Sequence, residues 1–216
     1  MNNEHIFNKD YLKKKAVRDG FYDNMAMRMN RDKVPMLVDV EVELDHLKEQ
    51  FLMKGLQTNH LDVLEWGSGY GTKYLTDLLH EARYTFEWDS VEADLRWFVE
   101  VNKLELLPTS NIRLHLFEEP ILRIDDRRKL NALPMKDYIE FPRKCLNKKF
   151  DIIYVDGTKR TNCLREATLL LKEDGFVLLH DAQRQTYQKT MDEYYNGKFL
   201  SPKLWKGVPK KIWDIK

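Results

Sequence analysis

The sequence predicts an α/β protein built around a doubly wound, mostly parallel β-sheet. From residue 61 onward, short strand-like segments alternate with longer helix-like segments, which is the order of elements in right-handed βαβ units. The segment FDIIYVD, residues 150–156, is mostly apolar, as is typical of a strand buried on both faces of a parallel sheet. A glycine-rich turn, GSGYG at residues 67–71, follows the first of these strands.

Apolar spacing and capping residues define the elements of this sheet in chain order. Leu75, Leu78 and Leu79 fall on one face of the first helix after the glycine turn, and Asp94 is a suitable N-cap for the second. The third strand alternates apolar and polar residues. The predicted strands are 61–66, 84–93, 111–117, 150–156 and 175–181, and the predicted helices between them are 71–82, 94–107 and 162–172.

Residues 1–57 are predicted to form an N-terminal helical arm or lid. Within it, Leu44, Leu47, Phe51 and Leu52 make one apolar stripe, and Gly55 is a plausible end of that helix.

Residues 58–216 are predicted to form a single sheet domain. Residues 118–149 are too long and polar for an ordinary connection, which indicates a functional insertion or a short helix. Two short strand-like pieces within residues 198–216 would complete seven strands with an antiparallel C-terminal edge.

Composition excludes several classes of protein. The chain has 36 basic and 35 acidic residues, a net charge of +1, so it exerts no strong attraction on nucleic acid or anionic membranes. Its two cysteines, Cys145 and Cys163, lack zinc-ligand spacing. The N-terminal stretch has no apolar core of a secretory signal, and no segment approaches the length of a membrane span. We therefore expect a cytoplasmic protein that does not associate with membranes.

The glycine turn has a spacing that separates it from two common nucleotide-binding loops. It reads Glu65-x-Gly67-x-Gly69-x-Gly71, which is neither the dinucleotide pattern G-x-G-x-x-G nor the phosphate-loop pattern G-x-x-x-x-G-K-[ST]. Glycines there let backbone approach a ligand, and the helix that begins near Thr72 offers unpaired N–H groups. A plain strand-to-helix turn is the structural alternative.

This pattern resembles the first motif of class I S-adenosylmethionine-dependent methyltransferases, and the resemblance covers about residues 60–185. It implies a Rossmann-like fold, with the glycine loop passing the methionine part of the cofactor and Glu65 helping to fix its amino group. Glu92, at the tip of the second strand, is placed to accept hydrogen bonds from ribose hydroxyls. The predicted cofactor-binding residues are Glu65, Gly67, Ser68, Gly69, Gly71, Thr72, Glu92 and, near the adenine, Phe117 and Glu118.

Ionisable residues follow the fourth and fifth strands, at the same predicted edge as the glycine loop. Asp156, His180 and Asp181 are the candidate catalytic residues, with His180 as a base near neutral pH and Asp156 orienting it or binding the acceptor. The candidate substrate-binding residues are Arg160, Arg184 and Tyr187. Helix capping by the two aspartates is the structural alternative.

Asp156 and Asp181 also resemble the metal-binding acids of catechol-type and macrolide-sugar O-methyltransferases. That resemblance implies a divalent ion, with magnesium favoured by oxygen ligands and manganese by a histidine. The family usually adds Asn or Asp directly after the second acid, whereas this chain has Ala182.

The predicted function is S-adenosylmethionine-dependent O-methylation of a hydroxylated, anionic or neutral, small molecule or sugar. No Asn/Asp-Pro-Pro-Tyr follows the fourth strand, so amino-group methylation of a nucleic-acid base is not indicated. The alternatives are an RNA or protein methyltransferase that uses the basic segment 203–211, a nucleotide-binding oxidoreductase, and a non-catalytic module. The sequence leaves the acceptor and the oligomeric state open.

Overall fold

The computed structural model describes residues 37–94, 98, 111–117 and 135–211. The sheet belongs to the compact unit that begins at His46. Most of the predicted N-terminal arm, the helix predicted at 94–107 and the first part of the insertion lie outside the described residues. The domain boundary at residue 57 therefore stays a prediction.

Seven strands and five α-helices are described in this part of the chain. The helices and strands, numbered in chain order, are α1 (Leu37–Gly55), β1 (Leu61–Trp66), α2 (Tyr70–Glu81), β2 (Phe86–Glu92), β3 (Ile112–Leu116), α3 (Lys136–Phe141), β4 (Phe150–Val155), α4 (Arg160–Leu170), β5 (Leu171–Leu179), α5 (Gln185–Tyr194), β6 (Tyr195–Phe199) and β7 (Trp205–Pro209). A single π-helical turn, Pro142–Leu146, continues α3.

All seven strands form one sheet in the order β3-β2-β1-β4-β5-β7-β6. The strands β1 to β5 are mutually parallel, β7 pairs antiparallel with β5, and β6 pairs antiparallel with β7. This confirms the predicted doubly wound, mostly parallel sheet with an antiparallel C-terminal hairpin.

The core lies on both faces of the central strands. Every residue of β4 is buried, as its apolar sequence predicts for a strand covered on both sides. On one face the ring of Phe51 from α1 stacks on Trp88 of β2, with ring centroids 5.5 Å apart. Lys54 fixes the same helix, because its buried Nζ lies 2.6 Å from the carboxylate of Asp174 in the exposed part of β5. The helix ends at Gly55, as predicted.

The structure differs from the predicted elements near the C-terminus. β5 begins at Leu171 rather than at residue 175, because Leu171 already pairs with Phe150 before a register shift. Residues 185–194 form α5, which the sequence did not predict. The insertion at 118–149 contains the short helix α3 in its described part, in agreement with one of the two predicted alternatives. No described helix combines the length and apolar character needed to cross a membrane.

A charged network spans the first halves of β1, β2 and β3. Asp89 is fully buried and its carboxylate contacts three cations or donors: Arg113 Nε at 2.7 Å, His115 Nε2 at 2.9 Å and Lys148 Nζ at 3.0 Å. Burial alone would raise the pKa of Asp89, but Arg113, His115 and Lys148 outweigh it and hold that pKa well below its usual range. The carboxylate is therefore ionised and pairs across adjacent strands.

We expect Asp89→Ala to lower the free energy of unfolding by about 1.5–3 kcal/mol, because it removes the buried carboxylate that Arg113, His115 and Lys148 share, although Arg113 and Lys148 keep Glu87 as a partner. The matched control is Glu87→Ala, which removes a carboxylate that binds Arg113 and Lys148 but is 40% exposed. That change should cost about 0–1 kcal/mol. Urea denaturation measures both, and equal losses would contradict a special role for the buried acid.

Candidate active site

The site lies where the direction of the chain through the sheet reverses. From β1 the chain proceeds to β2 and β3 on one side, and β4 and β5 lie on the other side. Crevices outside the carboxyl ends of parallel strands at such a point are where open α/β sheets bind ligands. Here those ends are Trp66 of β1 and Val155 of β4, which are paired in register.

The loops that follow β1 and β4 pack backbone against backbone. Gly67 has φ of +98°, and a Cβ there would lie 2.3 Å from Gly157 N and 2.4 Å from Gly157 Cα. Asp156 N and Gly157 N both donate to Trp66 O, at 2.9 and 2.6 Å. Gly67 therefore lets the loop after β4 approach closely. The spacing of the glycines in the sequence does not reveal this role.

The rest of the glycine loop is fixed by a threonine and a buried acid. Thr72 Oγ1 accepts a hydrogen bond from Gly69 N at 2.8 Å and donates to Glu65 Oε2 at 2.7 Å. Trp88 Nε1 and Ser90 Oγ donate to the same oxygen at 3.0 and 2.7 Å. Glu65 and Thr72 thus organise the start of α2. A Cβ at Gly71, by contrast, would meet only the Tyr154 ring at 3.8 Å.

Burial raises the pKa of Glu65 from its ordinary 4.5 to about 8, against the opposing effect of its three hydrogen-bond donors. The side chain is 1% exposed. A carboxyl group in this state is protonated at neutral pH unless a cation is brought next to it.

Glu92 stands at the tip of β2, beside the glycine loop, as predicted. Ala93 N and Asp94 N each donate to Glu92 Oε1 at 2.8 Å, and Ser68 Oγ donates to Oε2 at 3.2 Å. Burial raises its pKa to about 7. The contact between Ser68 and Glu92 joins the end of β1 to the end of β2.

Phe117 follows β3 at the same edge. Its N–H donates to Glu92 O at 2.8 Å, and its ring lies 4.7 Å from that of Phe141 in α3. The ring is partly buried against the core. Glu118, the other residue predicted near the adenine, lies outside the described residues.

Asp156 and His180 come together across the ends of β4 and β5. His180 Nδ1 lies 2.7 Å from Asp156 Oδ1, and the two side chains are 26% and 33% exposed. Burial alone would raise the pKa of Asp156, but His180 and then Arg160 outweigh it and hold that pKa below its usual range. An ionised carboxylate at Nδ1 favours the tautomer with the proton on Nδ1, which leaves Nε2 as the basic nitrogen.

Arg160 is held by protein groups. Its Nε donates to Gly157 O at 2.9 Å, Nη2 to Asp156 O at 2.7 Å and Nη1 to His180 O. The guanidinium also pairs with the Asp156 carboxylate at 3.0 Å, and only 11% of the side chain is exposed. These contacts join the loops that follow β4 and β5, and the predicted role of Arg160 in binding a substrate anion stays a prediction.

Asp181, Arg184 and Tyr187 lie on the segment that leads from β5 into α5. Asp181 has φ of +54°, a backbone conformation that costs energy in a non-glycine residue and is frequent at functional sites. Its carboxylate accepts a hydrogen bond from Arg184 Nη2, and Arg184 is 56% exposed. Tyr187 is partly buried against the core. The catalytic role of Asp181 and the substrate-binding roles of Arg184 and Tyr187 stay predictions.

The residues predicted to bind a divalent metal do not fit one. The facing oxygens of Asp156 and Asp181 lie 3.0 and 3.6 Å from the Arg160 guanidinium, which already supplies a positive charge between them. Ala182, at the position where a third oxygen ligand is usual, is a buried methyl group. Within the described ranges, no group of three or more histidine, cysteine, aspartate or glutamate side chains could hold a metal ion.

Two residues of the site were missed by reasoning from the sequence. Gly157 faces Gly67, and Tyr138 from α3 places its hydroxyl 2.3 Å from where a Gly157 Cβ would be. That hydroxyl is buried. The Asp-Gly pair after β4 was a signal of tight packing, but nothing in the sequence indicated its partner.

Solved structures with this architecture are known. A Staphylococcus aureus protein assigned as a caffeoyl-CoA O-methyltransferase has a TM-score of 0.52 at 17% identity, over 94% of this chain and 99% of its own. A Listeria monocytogenes protein assigned to the class I S-adenosylmethionine-dependent methyltransferases has a TM-score of 0.57 at 11% identity, over 94% and 70%. An SAH-bound methyltransferase from Podospora anserina has a TM-score of 0.53 at 12% identity, over 94% and 97%.

The chain has the class I methyltransferase fold. No protein-family model matches its sequence, and no curated protein matches it either. At the low identities above, the structural similarity establishes the fold, and only the residues of the site bear on the chemistry.

We expect Gly157→Ala to destabilise the protein by about 1–3 kcal/mol, because the new methyl group overlaps the Tyr138 hydroxyl. Tyr138→Phe removes that oxygen, so the double variant should recover part of the loss in urea denaturation. Gly67→Ala is the matched control, since its methyl group would meet backbone atoms of Gly157 and Tyr138→Phe should not rescue it. If Tyr138→Phe recovered the same part of the unfolding free energy in both glycine variants, that result would contradict this packing.

The buried Glu65 predicts a pH dependence of stability. A carboxyl whose pKa is raised on folding stabilises most below its unfolded pKa of about 4.5 and loses this contribution as the pH rises to about 8. We expect Glu65→Gln to reduce the fall in unfolding free energy between about pH 5 and pH 8, measured by urea denaturation. Glu92 contributes a slope of the same sign up to about pH 7, so some dependence should remain. An unchanged slope in the Gln variant would show that Glu65 is ionised at neutral pH.

Proposed function

We propose that this protein is an S-adenosylmethionine-dependent methyltransferase that methylates a hydroxyl group of a small molecule or sugar. The observation that carries the proposal is the 2.7 Å contact between Asp156 and His180. This pair lies at the edge of the sheet that also carries the glycine loop and Glu92. A candidate base and a candidate nucleoside-binding carboxylate thus lie at the same edge of the sheet, in a fold common among methyltransferases.

The donor set at the ends of β1 and β2 fits the nucleoside part of the cofactor. Glu92 is fixed by two backbone N–H groups and by Ser68, so its carboxylate is positioned before any ligand arrives. Carboxylates at this position of doubly wound sheets accept hydrogen bonds from ribose hydroxyls. Gly71 leaves the adjacent turn without a side chain, and Phe117 provides an aromatic surface next to Glu92. We assign these residues, with Gly69, to cofactor binding.

His180 acts as the general base in the proposed reaction. When bound, S-adenosylmethionine supplies an electrophilic methyl group on a sulfonium sulfur. His180 Nε2 takes the proton of the acceptor hydroxyl as its oxygen attacks, and Asp156 stabilises the resulting imidazolium through the Nδ1 hydrogen bond. General-base assistance of this kind contributes about 10²–10⁴ to a rate, with positioning of the acceptor supplying much of the rest.

The acceptor side of the crevice has one largely exposed cation, Arg184, among the predicted substrate-binding residues. Its planar guanidinium suits a carboxylate or phosphate on the acceptor. Tyr187 lies in the first turn of α5, three positions further along the chain. Arg184, which also pairs with Asp181, supports an anionic acceptor in preference to a neutral one.

The basic segment 203–211 gives little support to the RNA or protein methyltransferase alternative. Lys206 Nζ lies 3.8 Å from the centre of the Phe176 ring and binds Gln50, and Lys210 donates to Asp192 O. These lysines are used within the fold, since Lys206 of β7 contacts α1 and β5, and Lys210 ties the end of β7 to α5.

The first test is calorimetric binding of S-adenosylhomocysteine, followed by turnover on a panel of hydroxylated small molecules and sugars. We expect His180→Ala and Asp156→Asn to keep the affinity for S-adenosylhomocysteine and to lose about 10²-fold or more in turnover. His60→Ala is the matched control, because His60 precedes β1 at the opposite edge of the sheet, and it should leave both unchanged. Full turnover by the His180 variant would contradict the base assignment, and a wild-type protein that does not bind the nucleoside would contradict the proposed function.

A further inference from the structure

Arg160 occupies a position where a cation is ordinarily unfavourable. It is the first residue of α4, whose first turn contains no acidic residue and whose N-cap makes no side-chain hydrogen bond. The N-terminus of a helix carries partial positive charge, so a guanidinium there is repelled rather than attracted. Some other interaction must therefore fix Arg160 in this place.

That interaction is with the two carboxylates that follow β4 and β5. Nη2 of Arg160 lies 3.0 Å from Asp156 Oδ1, and Nη1 lies 3.6 Å from Asp181 Oδ2. The same guanidinium donates to the carbonyl oxygens of Gly157, Asp156 and His180. One cation thus bridges both acids and both loops, in the position where a divalent ion would bridge them.

The other groups around these acids complete the arrangement without a metal. Asp156 Oδ1 also lies 2.7 Å from His180 Nδ1, and Asp181 Oδ2 also accepts a hydrogen bond from Arg184 Nη2. The neighbouring Ala182 offers no oxygen ligand from its methyl side chain, and it is buried, with its N–H donating to Lys203 O at 2.8 Å.

We infer that Arg160 is a built-in cation that replaces a divalent metal ion between Asp156 and Asp181. It neutralises the two carboxylates and holds Asp156 against His180. Arginine suits this role better than lysine, because its planar fork reaches carboxylate and carbonyl oxygens at once. Only the catalytic consequence, a reaction that needs no divalent ion, rests on the proposed function. The metal-binding behaviour is a property of the chain by itself.

The test is Mn²⁺ binding, followed by electron paramagnetic resonance, in the full chain without cofactor or acceptor. We expect no binding by the wild type at Mn²⁺ concentrations where Arg160→Met, which keeps the aliphatic stem, binds one ion per chain. Adding Asp181→Asn to Arg160→Met should abolish that binding. Arg184→Met is the matched control: it removes the other guanidinium from Asp181 but keeps the bridge, so it should not bind Mn²⁺.

Two results would overturn the inference. One is a wild-type chain that binds one Mn²⁺ and loses it in Asp156→Asn or Asp181→Asn, which would show that the metal displaces the guanidinium. The other is a folded Arg160→Met chain that binds no Mn²⁺. If Arg160→Met does not fold, Arg160→Gln takes its place in the Mn²⁺ titration. The wild-type titration tests the first of the two results in either case. Neither result depends on S-adenosylhomocysteine binding, so failure of this inference is distinguishable from failure of the proposed function.

Discussion

The architecture of the site depends on one contact, in which the backbone of Gly67 lies against the backbone of Gly157. The contact requires two residues without side chains and a positive φ at the first of them. Two N–H groups of the loop after β4 then reach the last carbonyl of β1. This contact ties the two loops together at the reversal point of the sheet, where the carboxyl ends of β1, β2, β4 and β5 lie at one edge.

The pKa values of the carboxyl groups then differ between the two halves of this edge. On the side of β1 and β2, burial raises the pKa values of Glu65 and Glu92. On the side of β4 and β5, His180 and Arg160 outweigh burial and keep Asp156 ionised. Environments that push the pKa values of nearby acids apart are typical of sites that assign different tasks to similar groups. A cationic ligand suits the first half, and a proton-accepting histidine suits the second.

The sequence predicted the parts of the fold that show as a periodic apolar pattern or as a local motif. Strand alternation, the apolar β4, the glycine turn and Glu92 at a strand tip were all readable, since each follows from local residue types. Helix α5 was missed because its sequence, QTYQKTMDEY, is mostly polar, and its apolar face consists only of Tyr187, Met191 and Tyr194. The start of β5 was missed because its first residues are fixed by pairing with β4 rather than by their own pattern.

Tertiary contacts explain why the site was only partly predictable. Gly67 and Gly157 are ninety positions apart in the chain, so the reason for the first glycine is a residue that no local pattern indicates. Arg160 was expected to bind a substrate anion, because the sequence shows a basic residue near an acid but not the carbonyl oxygens that surround it. Its contacts with both loops are visible only once β4 and β5 lie side by side.

The central claim is that the ends of β1 and β2 bind the nucleoside of an S-adenosyl compound through Glu92. A crystal structure with S-adenosylhomocysteine tests it most directly. We predict that the ribose hydroxyls lie on the Glu92 carboxylate and that the amino-acid part lies along the loop from Gly67 to Gly71. A crevice without the ligand at saturating concentration, or a ligand bound elsewhere on the chain, would contradict it.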